Sequence, residues 1–277
     1  MVINHTSKWV FVHNPKVAGT SIRKVLLPYN QSSMELWHQR FIPELQRIVD
    51  VSHLSAEEFD AVCPDVGRDY FRFGFVRDPY ARLYSALKEY SKQHSVDVHS
   101  TSEKRGEFIL NTLTPCGIQY DWSLSHFRPQ FMFFYRGRKR VVDFIGRFHD
   151  LNNDFRSVMS LLNVSVPDKD LTVERDTGAT LLIEDPSSFF GEEALKWVNR
   201  LYGMDWLLFA PYLQTNMVGG LDYGSHFSNV ENIRSPLGRK TFYGEPPGLS
   251  LGEKVGFLTA EVERLRSQIN QQSYNPT

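Results

Sequence analysis

The sequence has only two cysteines, Cys63 and Cys116, in 277 residues. So few exclude a disulfide framework, and they match no metal-ligand spacing, so a reduced compartment is favoured, with one bridge between them still open. Long apolar runs are missing too. No stretch approaches the about 18 to 20 apolar residues that a spanning helix needs, and the polar start, residues 1–8, has no apolar signal core. As written, the chain is expected to be cytoplasmic, without a membrane span. Charge of one sign is also absent, since 31 Lys and Arg face 32 Asp and Glu for a net charge of −1. That balance provides no general field for nucleic acid or an acidic membrane, so any anion must be held by local clusters.

What is present is ordinary globular material, 41% apolar and 23% charged, which suits one large domain. Residues 8–13 read as a buried strand stopped by Asn14-Pro15, and a helix capped by Thr20 or Ser21 follows until Pro28. Residues 34–62 read as mainly helical, with His53 in the link V-S-H-L-S. A second strand, 70–76, meets Asp78-Pro79, and Tyr80, Leu83, Tyr84, Leu87 and Tyr90 then repeat at helical spacing. A polar stretch with one helix near 103–113 comes next. Strands are expected at 131–135 and 141–144 around the basic R-G-R-K-R turn, and helices at 150–162 and 191–202. Strands alternating with helices predict an α/β domain with a mainly parallel sheet.

The predicted domain ends at residue 213. Residues 214–250, rich in Gly, Asn, Ser and Pro, read as an extended linker. A last helix at 251–272 carries Leu251, Val255, Leu258, Val262, Leu265 and Ile269 at alternating spacings of four and three, a seam for docking on its own domain or for a homodimer.

The strongest chemical signal is H-N-P-K-V-A-G-T-S, residues 13–21, set between a strand and a helix. Backbone N–H groups of such a loop, backed by the helix N-terminus, stabilise a phosphate. Gly19 is expected to let the backbone approach it, and Lys16 to supply a point charge. A nucleotide-triphosphatase loop would need Gly where Asn14 stands and Lys where Thr20 stands. The second signal is F-V-R-D-P-Y-A-R-L-Y-S, residues 75–85. It places Arg77 at the carboxyl end of a strand, where open sheets bind ligands, with Ser85 two turns into the next helix. Asp78 reads as a cap and Arg82 as a solvated helix residue.

Together the two loops resemble the 5′-phosphosulfate and 3′-phosphate loops of sulfotransferases that use 3′-phosphoadenosine 5′-phosphosulfate (PAPS). H-F-R-P-Q at 126–130, V-D-F-I-G-R-F at 142–148 and L-Y-G-M-D-W-L-L-F at 201–209 are similar to later blocks of the Golgi carbohydrate sulfotransferases acting on chondroitin, dermatan and heparan. The resemblance implies a P-loop-like three-layer sandwich, with a central sheet between helices. It implies that Lys16, Ala18, Gly19, Thr20 and Ser21 hold the 5′-phosphosulfate, that Arg77 and Ser85 hold the 3′-phosphate, and that adenosine 3′,5′-bisphosphate (PAP) is the product. No metal is required by this scheme. His53 is the first choice of base, by similarity to the G-H-V-S block of the heparan 2-O enzymes, and His126 the second. The acceptor expected is a hydroxyl of a carbohydrate or glycoconjugate, or of a small natural product. The chain looks like a soluble bacterial-type relative, and a Golgi-lumen location applies only to a trimmed catalytic domain. Trp37, Tyr84, Tyr90 and Trp122 are candidates for stacking on a sugar or adenine, with core packing as the commoner use of such residues.

Overall fold

The computed structural model describes residues 1–32, 39–166, 171 and 183–213. Strands β1 (Val2–Asn4) and β2 (Trp9–Phe11) lead into helix α1 (Gly19–Leu26), and a hairpin of β3 (Gln39–Ile42) and β4 (Arg47–Asp50) precedes α2 (Ala56–Val62). Strand β5 (Phe71–Val76) runs into α3 (Pro79–His94), followed by α4 (Ser102–Thr112), α5 (Pro115–Tyr120) and α6 (Phe131–Phe134). A small hairpin of β6 (Tyr135–Arg136) and β7 (Lys139–Arg140) precedes β8 (Phe144–Arg147), and helices α7 (Leu151–Leu161), α8 (Pro186–Phe190), α9 (Glu192–Leu201) and α10 (Gly203–Phe209) complete the described chain. The chain divides into two units, Met1–Gly220 and Leu221–Thr277, and every described residue belongs to the first. The linker and final helix expected at 214–250 and 251–272 lie outside the described residues, as does Trp37.

The central sheet has the order β1-β2-β5-β8, with β1 antiparallel to β2 and the other pairs parallel. The expected α/β architecture, a mainly parallel sheet with flanking helices, is therefore present. Trp9, Phe11, Phe73 and Phe75 are fully buried and pack with Ile22 and Leu26 of α1 and Phe155 and Val158 of α7. A strand covered by helices reads as a continuous apolar run, which is why both strands were legible.

Four local expectations are corrected. The region 34–62 holds a β-hairpin where a helix was expected. Pro43 and the left-handed Gln46 (φ 52°) lie at the bend between its strands, and among the described residues of this region α2 is the one α-helix, beside two short 3-10 turns. Helix α2 opens with a reciprocal cap, Ser55 with Glu58. The strand expected at 131–135 is a helical turn as far as Phe134, because Asp205 accepts hydrogen bonds from the N–H groups of Gln130 (2.8 Å) and Phe131 (2.9 Å). Helix α1 begins at Gly19, one residue before the expected caps. Its cap is Ala18, with no side-chain hydrogen bond. Arg82, read as solvated, is fully buried and donates to the carbonyls of His126 (3.2 Å) and Arg128 (2.7 Å).

Candidate functional site

The three parallel strands discharge into one pocket. His13 lies beyond β2, Arg77 directly after β5 and Phe148 directly after β8, and all three line it. Binding outside the carboxyl ends of strands is the general habit of open α/β sheets. The donor-holding and base residues chosen from the sequence all line the same pocket: Lys16, Ala18, Gly19, Thr20, Ser21, His53, Arg77, Ser85 and His126.

The first corner, between β2 and α1, is tight. Lys16 and Ala18 both adopt left-handed backbone, at φ 63° and 60°. A residue with a Cβ pays about 1–3 kcal/mol for such a conformation. Val17, fully buried between them in the core, helps to hold the turn in this shape. Since no side chain caps α1, its first-turn N–H groups face the pocket end with the positive pole of the helix behind them. Gly19 is needed for a reason the sequence did not reveal. A Cβ at this position would fall 1.8 Å from Nε2 of His13, so the glycine makes room for an imidazole.

Lys16 forms an ion pair with Glu89 at 3.2 Å, and Gln93 donates to the other Glu89 oxygen at 3.2 Å. Glu89 and Gln93 follow Ser85 by four and eight residues on α3, so all three fall on one face of the helix. The second corner touches the first, with Arg77 Nη1 donating to the main-chain oxygen of Lys16 at 3.3 Å. The Arg77 guanidinium also lies over the Phe148 ring, 4.5 Å from its centre. Behind both corners sits the buried Gln130. Its Oε1 accepts from Asn14 Nδ2 and from the Arg77 N–H, each at 3.0 Å, while its Nε2 donates to the Arg77 carbonyl at 2.8 Å.

The H-F-R-P-Q block is thus mainly a scaffold for the site. Arg128 makes a bidentate pair with Glu58 at 2.6 and 3.0 Å and donates to the carbonyl of His53 at 3.3 Å. Tyr202 and Asp205, from the 201–209 block, hold this segment in turn, Tyr202 donating to the Phe127 carbonyl at 2.8 Å.

Three imidazoles meet in the pocket. Ring centres lie 4.3 Å apart for His13 and His53 and 4.9 Å apart for His53 and His126. Burial lowers the pKa of His13 well below the ordinary value, with His53 adding to the effect. Burial takes His53 down to about 3, opposed by its hydrogen bond to the His13 carbonyl and assisted by the charges of Arg23 and Lys16. Loss of water, then His53 and Lys16, take the half-buried His126 to about 3 as well. Asp50 stands beside them. It accepts from the Ser52 N–H and the Ser125 hydroxyl, each at 2.9 Å. Asp50, His53 and His126 offer ligand atoms within 4.8 Å of one another, the one group of this kind among the described residues.

A family model described as the sulfotransferase family matches residues 1–212, which takes in both corners and all three imidazoles. The chain belongs to the sulfotransferase family. This is the family of the carbohydrate, chondroitin-type enzymes whose motifs the sequence resembles. No curated protein and no solved structure matches the chain. In this sulfotransferase the other sequence candidates have structural uses. Tyr84 packs edge-on against Phe189 and Tyr90 packs against Phe108. The R-G-R-K-R run forms the exposed β6–β7 turn, where Arg136 pairs with Asp60 at 2.5 Å. Cys63 and Cys116 form no disulfide. No helix among the described residues is long and apolar enough to cross a membrane.

His13, Asp50, Glu89 and Gln93 line the pocket but were not chosen from the sequence. The four- and eight-residue spacing from Ser85 could have revealed the last two, and His13 stands at the head of the first motif. Asp50 had no local signal.

Proposed function

We propose that the protein is a PAPS-dependent O-sulfotransferase that moves a sulfuryl group to a hydroxyl of a carbohydrate or other glycoconjugate, with residues 1–213 as the catalytic domain. The observation that carries this reading is the meeting of two cation-bearing strand-to-helix corners and a histidine cluster in one pocket. The donor set fits the nucleotide: one corner offers Lys16, uncapped helix N–H groups and the hydroxyls of Thr20 and Ser21, and the adjoining corner offers Arg77 and Ser85. The first corner acts as a P-loop-like cradle, at the edge of a three-layer sandwich, for the 5′-phosphosulfate. Arg77 and Ser85 take the 3′-phosphate.

PAPS supplies an activated sulfuryl group and a phosphate leaving group. Lys16 places positive charge where the leaving oxygen becomes negative, a preorganised electrostatic contribution of the kind that often dominates catalysis. His53 is the base. A carbonyl can only accept, so the 3.0 Å contact of His53 Nδ1 with the His13 oxygen fixes the ring proton on Nδ1 and leaves Nε2 to receive the acceptor proton. Lys16 is one of the charges that lower the pKa of His53 and of His126. An anion lying on Lys16 offsets that influence, while burial remains the main cause of the lowering in both histidines. No step requires a metal.

Calorimetric titration with PAP, set against ADP with magnesium, tests the assignment. PAP should bind tightly without magnesium, and Lys16→Ala or Arg77→Ala should weaken it. Tighter binding of magnesium-ADP than of PAP would replace this reading with a P-loop kinase or nucleotide triphosphatase.

A further inference from the structure

The β3–β4 hairpin has two unlike faces. Side chains alternate along a strand, and the register pairs Gln39 with Asp50 and Phe41 with Ile48. These four therefore share one face, while Ile42 and Val49, on the other, are buried. Gln39 and Asp50 line the pocket. One step along each strand, about 7 Å away, Phe41 and Ile48 stand side by side, 54% and 45% exposed. An apolar pair thus continues the pocket wall outward on the same face.

Charge limits what this wall can receive. The charged side chains lining the pocket among the described residues are Lys16, Arg77, Asp50 and Glu89. Both cations belong to the corners assigned to the donor and Glu89 is paired with Lys16, so the charge left for the acceptor is the Asp50 carboxylate. The R-G-R-K-R turn does not compensate. None of its residues lines the pocket, Arg136 is engaged by Asp60, and Arg140 donates to the carbonyls of Val142 and Asp143. A sulfated or carboxylated glycan would bring its negative charges against Asp50 with no cation of the described lining left to receive them.

Building on the sulfotransferase reading above, we infer that the acceptor is an uncharged alcohol whose apolar body lies on Phe41 and Ile48 while its hydroxyl reaches His53 past Gln39. An alkyl or aryl glycoside, or a hydrophobic natural product, has this chemistry. A chondroitin-like polyanion does not.

Three probes test this on the full chain saturated with PAP: octyl β-D-glucoside below its micelle-forming concentration, methyl β-D-glucoside, and a chondroitin sulfate tetrasaccharide, each titrated by calorimetry. The octyl glucoside should bind about tenfold or more tighter than the methyl glucoside, as burial of several methylenes predicts. The double variant Phe41→Ser/Ile48→Ser, altered at exposed positions, should erase that difference and leave PAP affinity unchanged. Equal binding of the two glucosides, a preference that survives in the double variant, or tighter binding of the tetrasaccharide would each overturn the inference while PAP binding stood. Failure of the unaltered chain to bind PAP would instead sink the donor assignment, and this inference with it.

Discussion

The imidazole of His53 donates its Nδ1 proton to the main-chain oxygen of His13, 3.0 Å away, so the anion corner itself sets the tautomer of the proposed base. The link ties the short helical segment after β4 to the turn after β2, two parts of the chain forty residues apart.

His53→Ala should lower kcat by about 10²- to 10⁴-fold, the range for loss of a positioned general base, with PAP affinity nearly intact. Transfer from labelled PAPS measures the first and calorimetry the second. Full activity would move the base role to His126.

Lys16→Ala and Arg77→Ala should separate in kinetics. In the proposed reaction Lys16 meets charge that develops during transfer, so its loss should cut turnover by about 10²- to 10³-fold and affect donor binding less. Arg77 is proposed to meet a phosphate that does not react, so its loss should raise the donor KM by about 10- to 100-fold and change kcat little. A Lys16 variant with unaltered turnover would remove that residue from the mechanism.

Gly19→Ala should be unexpectedly costly for a one-carbon change. The new Cβ would overlap the His13 ring, 1.8 Å from Nε2, and relief requires the imidazole or the turn to move. A loss of about 1–3 kcal/mol is expected from overpacking of this kind, together with weaker PAP binding. Urea denaturation reads the stability, and an unchanged midpoint would show that His13 swings aside freely.

Acid should destabilise the fold well above the carboxylate range. In the unfolded chain His13, His53 and His126 take up protons near the ordinary value of 6.5, whereas folding holds His53 and His126 at about 3 and His13 well below normal. Their lowered folded values give stability that is complete above pH 6.5 and is lost as pH falls toward 3. Asp205 and Asp78 work the other way, since burial raises both, Asp205 to about 6, but they stand against the three imidazoles and the buried Met1 amine, which burial lowers to about 5. Between pH 7 and 5 the loss should be on the order of a few kcal/mol. Urea midpoints at pH 7, 6 and 5 should fall in step, and a flat series would mean that the imidazoles are hydrated.

Glu58→Gln should cost about 3–5 kcal/mol, because it leaves the buried Arg128 guanidinium without its carboxylate partner. The pair also supports the carbonyl of His53, so kcat should fall along with the melting temperature. A stable variant with full activity would show that the Arg128–Glu58 pair is dispensable.

The parts of this architecture that were legible in the sequence are those where local chemistry and global fold agree. Asp78-Pro79 caps a helix by itself, the Asp78 side chain accepting from the Ala81 N–H at 2.8 Å. The apolar runs of β2 and β5 admit little but a covered strand. The hairpin was missed because Phe41, Ile42, Leu45, Ile48 and Val49 fall at spacings of three and four, which satisfy a helix as well as two short strands. The turn at 131–134 was missed because its cap, Asp205, lies more than seventy residues away. The site followed the same rule. Lys16 and Arg77 sit in recognisable strand-to-helix corners and Ser85 two turns into the helix after the second, whereas Asp50 reaches the pocket only through the unread hairpin.

Gln130 is wholly buried and lies outside the pocket lining, yet its amide joins Asn14 beneath one corner to Arg77 in the other. The gauge between the two proposed anion seats is consequently set in advance by a residue placed behind them. If both seats hold the donor as proposed, its selection can be retuned from the back of the pocket, by altering a side chain's reach at position 130 without changing any group in the lining.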